Sequence, residues 1–177
     1  MIRFVATLAA LALATPLAAA ELSDQYEVMG TMTAQIGDET LDLVIPYDIE
    51  DDSPYAEQKI IMGSFLTINL VGSQVAEDGT PGRPMLQITL QKQGDTMALL
   101  STEVYDDQGY DAPLAMGADG GDGELVAFNL NEDNTTTGRI EGEFLRLTGY
   151  MDDPRVADGA EPLATTIEWR AELEPLE

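Results

Sequence analysis

Two residue types are missing outright. The 177-residue chain has no cysteine and no histidine. Without them there is no Ser-His-Asp triad and no Cys-His dyad. Zinc loses its two main protein ligands, and the common blue-copper and haem ligations lose theirs. No disulfide can staple the fold, even in an oxidising compartment, so stability has to come from packing. Basic residues are scarce, eight against 33 acidic ones. Such an excess of negative charge repels polyphosphate, which excludes nucleic-acid binding. No glycine-rich loop joins a strand to a helix, so the nucleotide-binding signature is absent too. A single tryptophan leaves little aromatic platform for a sugar cleft.

What is present begins with "MIRFVATLAALALATPLAAA". One base, Arg3, precedes an apolar run from Phe4 to about Leu17, and the run closes on Ala18-Ala19-Ala20. This is the pattern of a cleaved secretory signal over residues 1–20. It is shorter than the roughly 20 apolar residues that span a bilayer. The reading places residues 21–177 as one exported domain, periplasmic or secreted, with no membrane insertion after cleavage. Its size suits a single domain with a real core. Without Arg3, seven basic residues face 33 acidic ones, a formal charge of −26.

The mature chain alternates with period two, the signature of half-buried strands. Leu163, Thr165, Ile167, Trp169, Ala171 and Leu173 fall on one face. Leu41, Leu43, Ile45, Tyr47 and Ile49 repeat the pattern, as do Val28, Met32, Ala34 and Ile36 with Gly30 interrupting. Further strands are expected at 60–71, 85–91, 97–105, 124–130 and 139–149. Val126, Phe128 and Leu130 share one side, and a bulge near Phe144 accounts for a phase change in the 139–149 segment. Turn chemistry separates these runs: "IGDE", "EDGTPGRP", "KQGDT" and "NEDNTTTG". About eight strands and no helical period predict an all-β domain, an antiparallel β-sandwich. The alternative is a small up-and-down barrel of lipocalin type, although the N-terminal Gly-x-Trp usual in lipocalins is lacking.

Three segments follow a tyrosine with acids: "PYDIEDDSPY" (46–55), "VYDDQGYDAP" (104–113) and "GYMDDP" (149–154). Chain reversal at each turn predicts that the loops 72–83, 106–123 and 149–162 share one pole. Crowded carboxylates there suit calcium, which takes six to eight oxygens from irregular loops. The candidate ligands are Asp106, Asp107, Asp119, Asp122 and Asp152. "DGGDGE" (119–124) departs from the EF-hand spacing and reads first as a turn that launches the strand at 125–130. The expectation is therefore a non-catalytic acidic binding module with no cofactor, its partner a protein or a glycan. It would contact that partner through loops at one pole, or take up a strand at a sheet edge. The alternatives are a calcium-stabilised version of that module and a carboxylate-based carbohydrate hydrolase, which needs two carboxylates facing across a cleft.

Overall fold

The computed structural model describes residues 21–117 and 120–176. The signal-peptide reading of residues 1–20 and the candidate ligand Asp119 lie outside the described residues. Among the described residues the chain forms strands and no helix. They are β1 (Tyr26–Ile36), β2 (Glu39–Asp48), β3 (Ser53–Pro54), β4 (Ala56–Ile61), β5 (Phe65–Val75) and β6 (Pro81–Gln93), followed by β7 (Thr96–Tyr105), β8 (Leu114–Gly117), β9 (Gly123–Leu130), β10 (Thr135–Thr148), β11 (Arg155–Val156) and β12 (Leu163–Glu172).

The expected all-β, antiparallel class is what the chain adopts, and the arrangement is the barrel rather than the sandwich. One sheet runs β2-β1-β12-β10-β8-β7-β6-β5, and a pairing of Val44 with Ser73 returns it to β2. Every strand of this ring therefore has a neighbour on both sides over at least part of its length, so no strand is left as a full edge. Closure is narrow, since β2 and β5 diverge past that one pair. The segment 53–61 fills the wedge. β3 pairs with Tyr47 and Asp48, and β4 pairs with β5. Between them, the Tyr55 N–H donates to the Pro46 carbonyl at 3.1 Å and the Tyr55 carbonyl accepts from the Val71 N–H at 2.7 Å.

The interior is filled with side chains. Met32, Ile45, Ile68, Leu86, Ile88 and Phe144 are among the fully buried residues that meet there. β12 alternates as its sequence predicts, with Thr165, Ile167, Trp169 and Ala171 inward and Ala164, Glu168 and Arg170 less buried or outward. Opposite Trp169 stands Gly138 of β10. A Cβ there would run into the indole ring, so only glycine lets Trp169 lie flat against the wall.

Four expectations change. The single strand expected at 60–71 is a hairpin, β4 and β5, turned at Met62 and Gly63. Both have positive φ, 52° and 73°, and with Ser64 they form the three-residue connection between the paired Ile61 and Phe65. Val28 points out, 59% exposed, because the register shifts between Val28 and Gly30. No bulge sits at Phe144. The β10 register on β12 runs unbroken from Thr135 to Phe144, and Leu147, paired with Val156 of β11, is buried apart from the core cluster. Finally, the loop expected over 106–123 contains β8. Three steps along β10, from Leu145 to Gly142, face eight along the other chain, from Ala115 to Gly123. The glycine-rich stretch is thus a detour between two pieces of one wall strand, and β9 starts right after it. Gly121 N–H closes the detour on the Ala115 carbonyl at 3.0 Å, and Glu143 N–H donates to the Asp122 carbonyl at 2.8 Å.

Candidate functional site

The detour has a consequence for the barrel wall. β8 pairs with β7 only over Ser101–Val104. Beyond it β9 takes over the wall position, yet among the described residues β9 is hydrogen-bonded to β10 alone. Residues 96–100 of β7 and 123–130 of β9 thus face each other without a ladder. They meet near Gly123, which lies against the Leu99 side chain, and part toward the end of the barrel that carries the β6–β7 turn. The resulting crevice has a volume of about 440 Å³ and is lined by Leu66, Met97, Leu125, Phe128 and Leu130 from within. Lys92 and Asp95 stand at its mouth.

A register shift between Arg139 and Ile140 puts an extra residue into β9. It turns Val126 outward, 44% exposed, and sets Leu125 in phase with Phe128 and Leu130. The expected grouping of Val126 with Phe128 and Leu130 is corrected accordingly. An unpaired peptide group wants a hydrogen-bond partner, and bare strand edges template pairing with another chain. Here two such edges flank a crevice with an apolar floor and a polar mouth. Composition alone did not locate it. The available signal is "ELVAF", where apolar residues occupy both phases of a strand that has only one buried face.

The acidic candidates do not share one position. Asp106 is held by Arg146 in a two-pronged pair at 3.1 and 2.5 Å, and the same guanidinium donates to the Ala112 carbonyl at 2.6 Å. Burial opposes ionisation of Asp106, but the Arg146 hydrogen bonds, the Gln108 amide and the guanidinium charge outweigh it and hold the carboxyl below its usual range. This pair closes the barrel end opposite the crevice, beside Leu41, Val104 and Leu114. Asp107 is exposed next to it, and Asp152 lies in the turn after β10, its amide bonded to the Gly149 carbonyl. The 106–113 and 149–152 loops do meet, for Tyr150 N–H donates to the Asp111 carbonyl and Met151 N–H to the Asp111 carboxylate. Asp122 belongs to the wall detour. The 76–80 turn packs on the N-terminal segment, where Ser23 N–H donates to the Gly79 carbonyl. Among the described residues no three Asp or Glu converge as a metal site would need.

Two of the tyrosine-acid segments come together on the outer wall. The Tyr105 ring lies 5.2 Å from Tyr110 and 6.3 Å from Tyr150, and Arg83 sits 4.3 Å over the Tyr110 ring. Beneath them Glu103 is buried, 5% exposed, and accepts from the Tyr150 hydroxyl at 3.1 Å. Burial raises the Glu103 pKa against the lowering effect of hydrogen bonds from Ser101 and Tyr150. Burial and the Glu103 charge push Tyr150 up as well. The other buried carboxylate, Asp48, accepts from Gln25 and from the amides of Glu50 and Asp51. Each buried carboxylate is thus satisfied by neutral donors, and neither is hydrogen-bonded to a second carboxylate. Tyr47, the remaining strand-end tyrosine, donates to Asp52, which with burial pushes its hydroxyl up to about 12. Neither a protein-family model, nor a curated protein, nor a solved structure matches this chain.

Proposed function

We propose that the mature chain is an exported, non-catalytic binding module that receives an extended segment of a partner protein between β7 and β9. The observation that carries this reading is the crevice with two facing, unladdered strand edges. A strand inserted there would complete both ladders at once, with backbone hydrogen bonds giving affinity and alternate side chains giving selectivity. The filled interior supports recognition at the wall rather than in an internal chamber. The export half of the reading rests on residues 1–20 as a signal.

The test is panning of a random peptide library against residues 21–177, in parallel with a Val126→Asp variant. Val126 is exposed at the crevice rim, so the added charge disturbs docking and leaves the core alone. Enrichment of alternating apolar sequences by the parent, lost in the variant, supports the reading. Enriched peptides that bind both proteins alike would place recognition elsewhere, for instance at the exposed Tyr110.

A further inference from the structure

The outer face beside the crevice carries a charge pattern that the fold itself leaves unbalanced. Glu124 of β9 stands directly opposite Glu141 of β10. Like charges in directly opposed positions are destabilising. The nearby base, Arg139, is already shared. It binds Glu141 at 2.6 Å and Glu168 at 3.2 Å. Glu124 has no ion-pair partner among the described residues. Glu143 of β10, exposed, extends the row, while at the far end of the crevice Asp95 is offset by Lys92. The β7 side of the gap offers Thr96, Ala98 and Leu100, all uncharged.

We infer that the segment taken up between β7 and β9 alternates apolar residues with lysine or arginine. The inference rests on the strand-uptake reading above and gives the partner its chemistry. In a strand laid along β9, every second side chain points into the barrel, toward Leu66, Met97, Phe128 and Leu130. The others emerge on the outer face, next to Glu124 and within the field of Glu141 and Glu143. A base at those positions relieves the Glu124–Glu141 repulsion and gains an opposite-charge cross-strand pair. A second copy of this chain is the wrong occupant. It would bring a formal charge of −26 against the same sign, whereas a cationic segment is steered in by that field.

The experiment titrates the 21–177 domain with four capped octapeptides in about 50 mM salt, where exposed charges are weakly screened. Three alternate valine with lysine, serine or glutamate. The fourth has the composition of the lysine peptide with its residues in two blocks. The lysine peptide should bind about tenfold more tightly than the serine peptide, which corresponds to two or three such pairs. It should protect the amides of β9 from hydrogen exchange. The glutamate peptide should bind weakest, and the block peptide should lack the protection. In the Glu124→Lys/Glu141→Lys double variant, the order of the lysine and glutamate peptides should reverse. The protein stays strongly acidic in that variant, so mere attraction to an acidic surface would leave the order intact.

Equal binding of the three alternating peptides, an order unchanged in the double variant, or equal binding of the block peptide would overturn the cationic assignment. In the first of these outcomes, with β9 still protected, strand uptake stands. If no peptide protects β9, the strand-uptake reading falls with it. A dimer of the unliganded domain in sedimentation, dissociated by Val126→Asp, would make the second copy the occupant and overturn the inference.

Discussion

Single residues here show how far local chemistry depends on one neighbour. Gly138, in strand β10, needs no left-handed backbone; its role is to make room for Trp169.

 Gly138→Ala forces a methyl group against the indole, and overpacking of this kind costs roughly 1–3 kcal/mol. A urea unfolding midpoint together with the Trp169 emission spectrum checks both the cost and its place.

Glu103 offers the second prediction at this scale. Its folded pKa is raised from 4.5, chiefly by burial. A raised acid contributes stability that is fully present below the unfolded value and is lost as pH climbs through the folded one. Glu103→Gln keeps an acceptor for the Tyr150 hydroxyl without the charge. The variant should therefore gain on the parent as pH rises above the ordinary carboxylate range, read as the difference in urea midpoints. Asp106 runs the other way. Its folded pKa is lowered, so its contribution is present above the unfolded value and fades as pH falls through the folded one.

At the scale of elements, the β4–β5 hairpin is the part that periodicity hid. Met62 occupies a left-handed position normally given to asparagine or glycine, and it is 90% exposed. Met62→Asn should raise stability by about 0.5 kcal/mol, since asparagine tolerates the left-handed region better than methionine does. Thermal unfolding of the two proteins measures it. "IIMGSF" conceals this turn because its residues are apolar, and the only sign is Gly63. By contrast β12 was legible residue by residue, since one face is buried and the other wet. β9 was legible as a strand but not in its phase, because a bulge at Val126 depends on what β10 offers opposite. The crevice was not legible at all. It arises from two strands that fail to pair, a relation between distant segments that no local pattern encodes. Of the acidic candidates, the meeting of the 106–113 and 149–152 loops followed from chain reversal, whereas Asp122 went elsewhere because β8 divides the expected loop.

At the scale of the whole molecule, charge is the dominant feature. A formal charge of −26 on residues 21–177 means self-repulsion that is strongest in the compact state. Raising sodium chloride from about 20 mM to 0.5 M shortens the Debye length severalfold. The thermal midpoint should rise by about 5 °C, the equivalent of roughly 1–2 kcal/mol for a domain of this size. A scan at several salt concentrations tests this, and a midpoint that falls with salt would show that attractive pairs such as Arg146–Asp106 outweigh the repulsion.

The strand order also sets a timetable. β12, the last strand made, lies between β1, the first, and β10. Until it is in place, β1 and β10 are the two edges of an open sheet, and the ring cannot close. The ten residues of β12 therefore act as the latch that turns a ribbon into a closed wall.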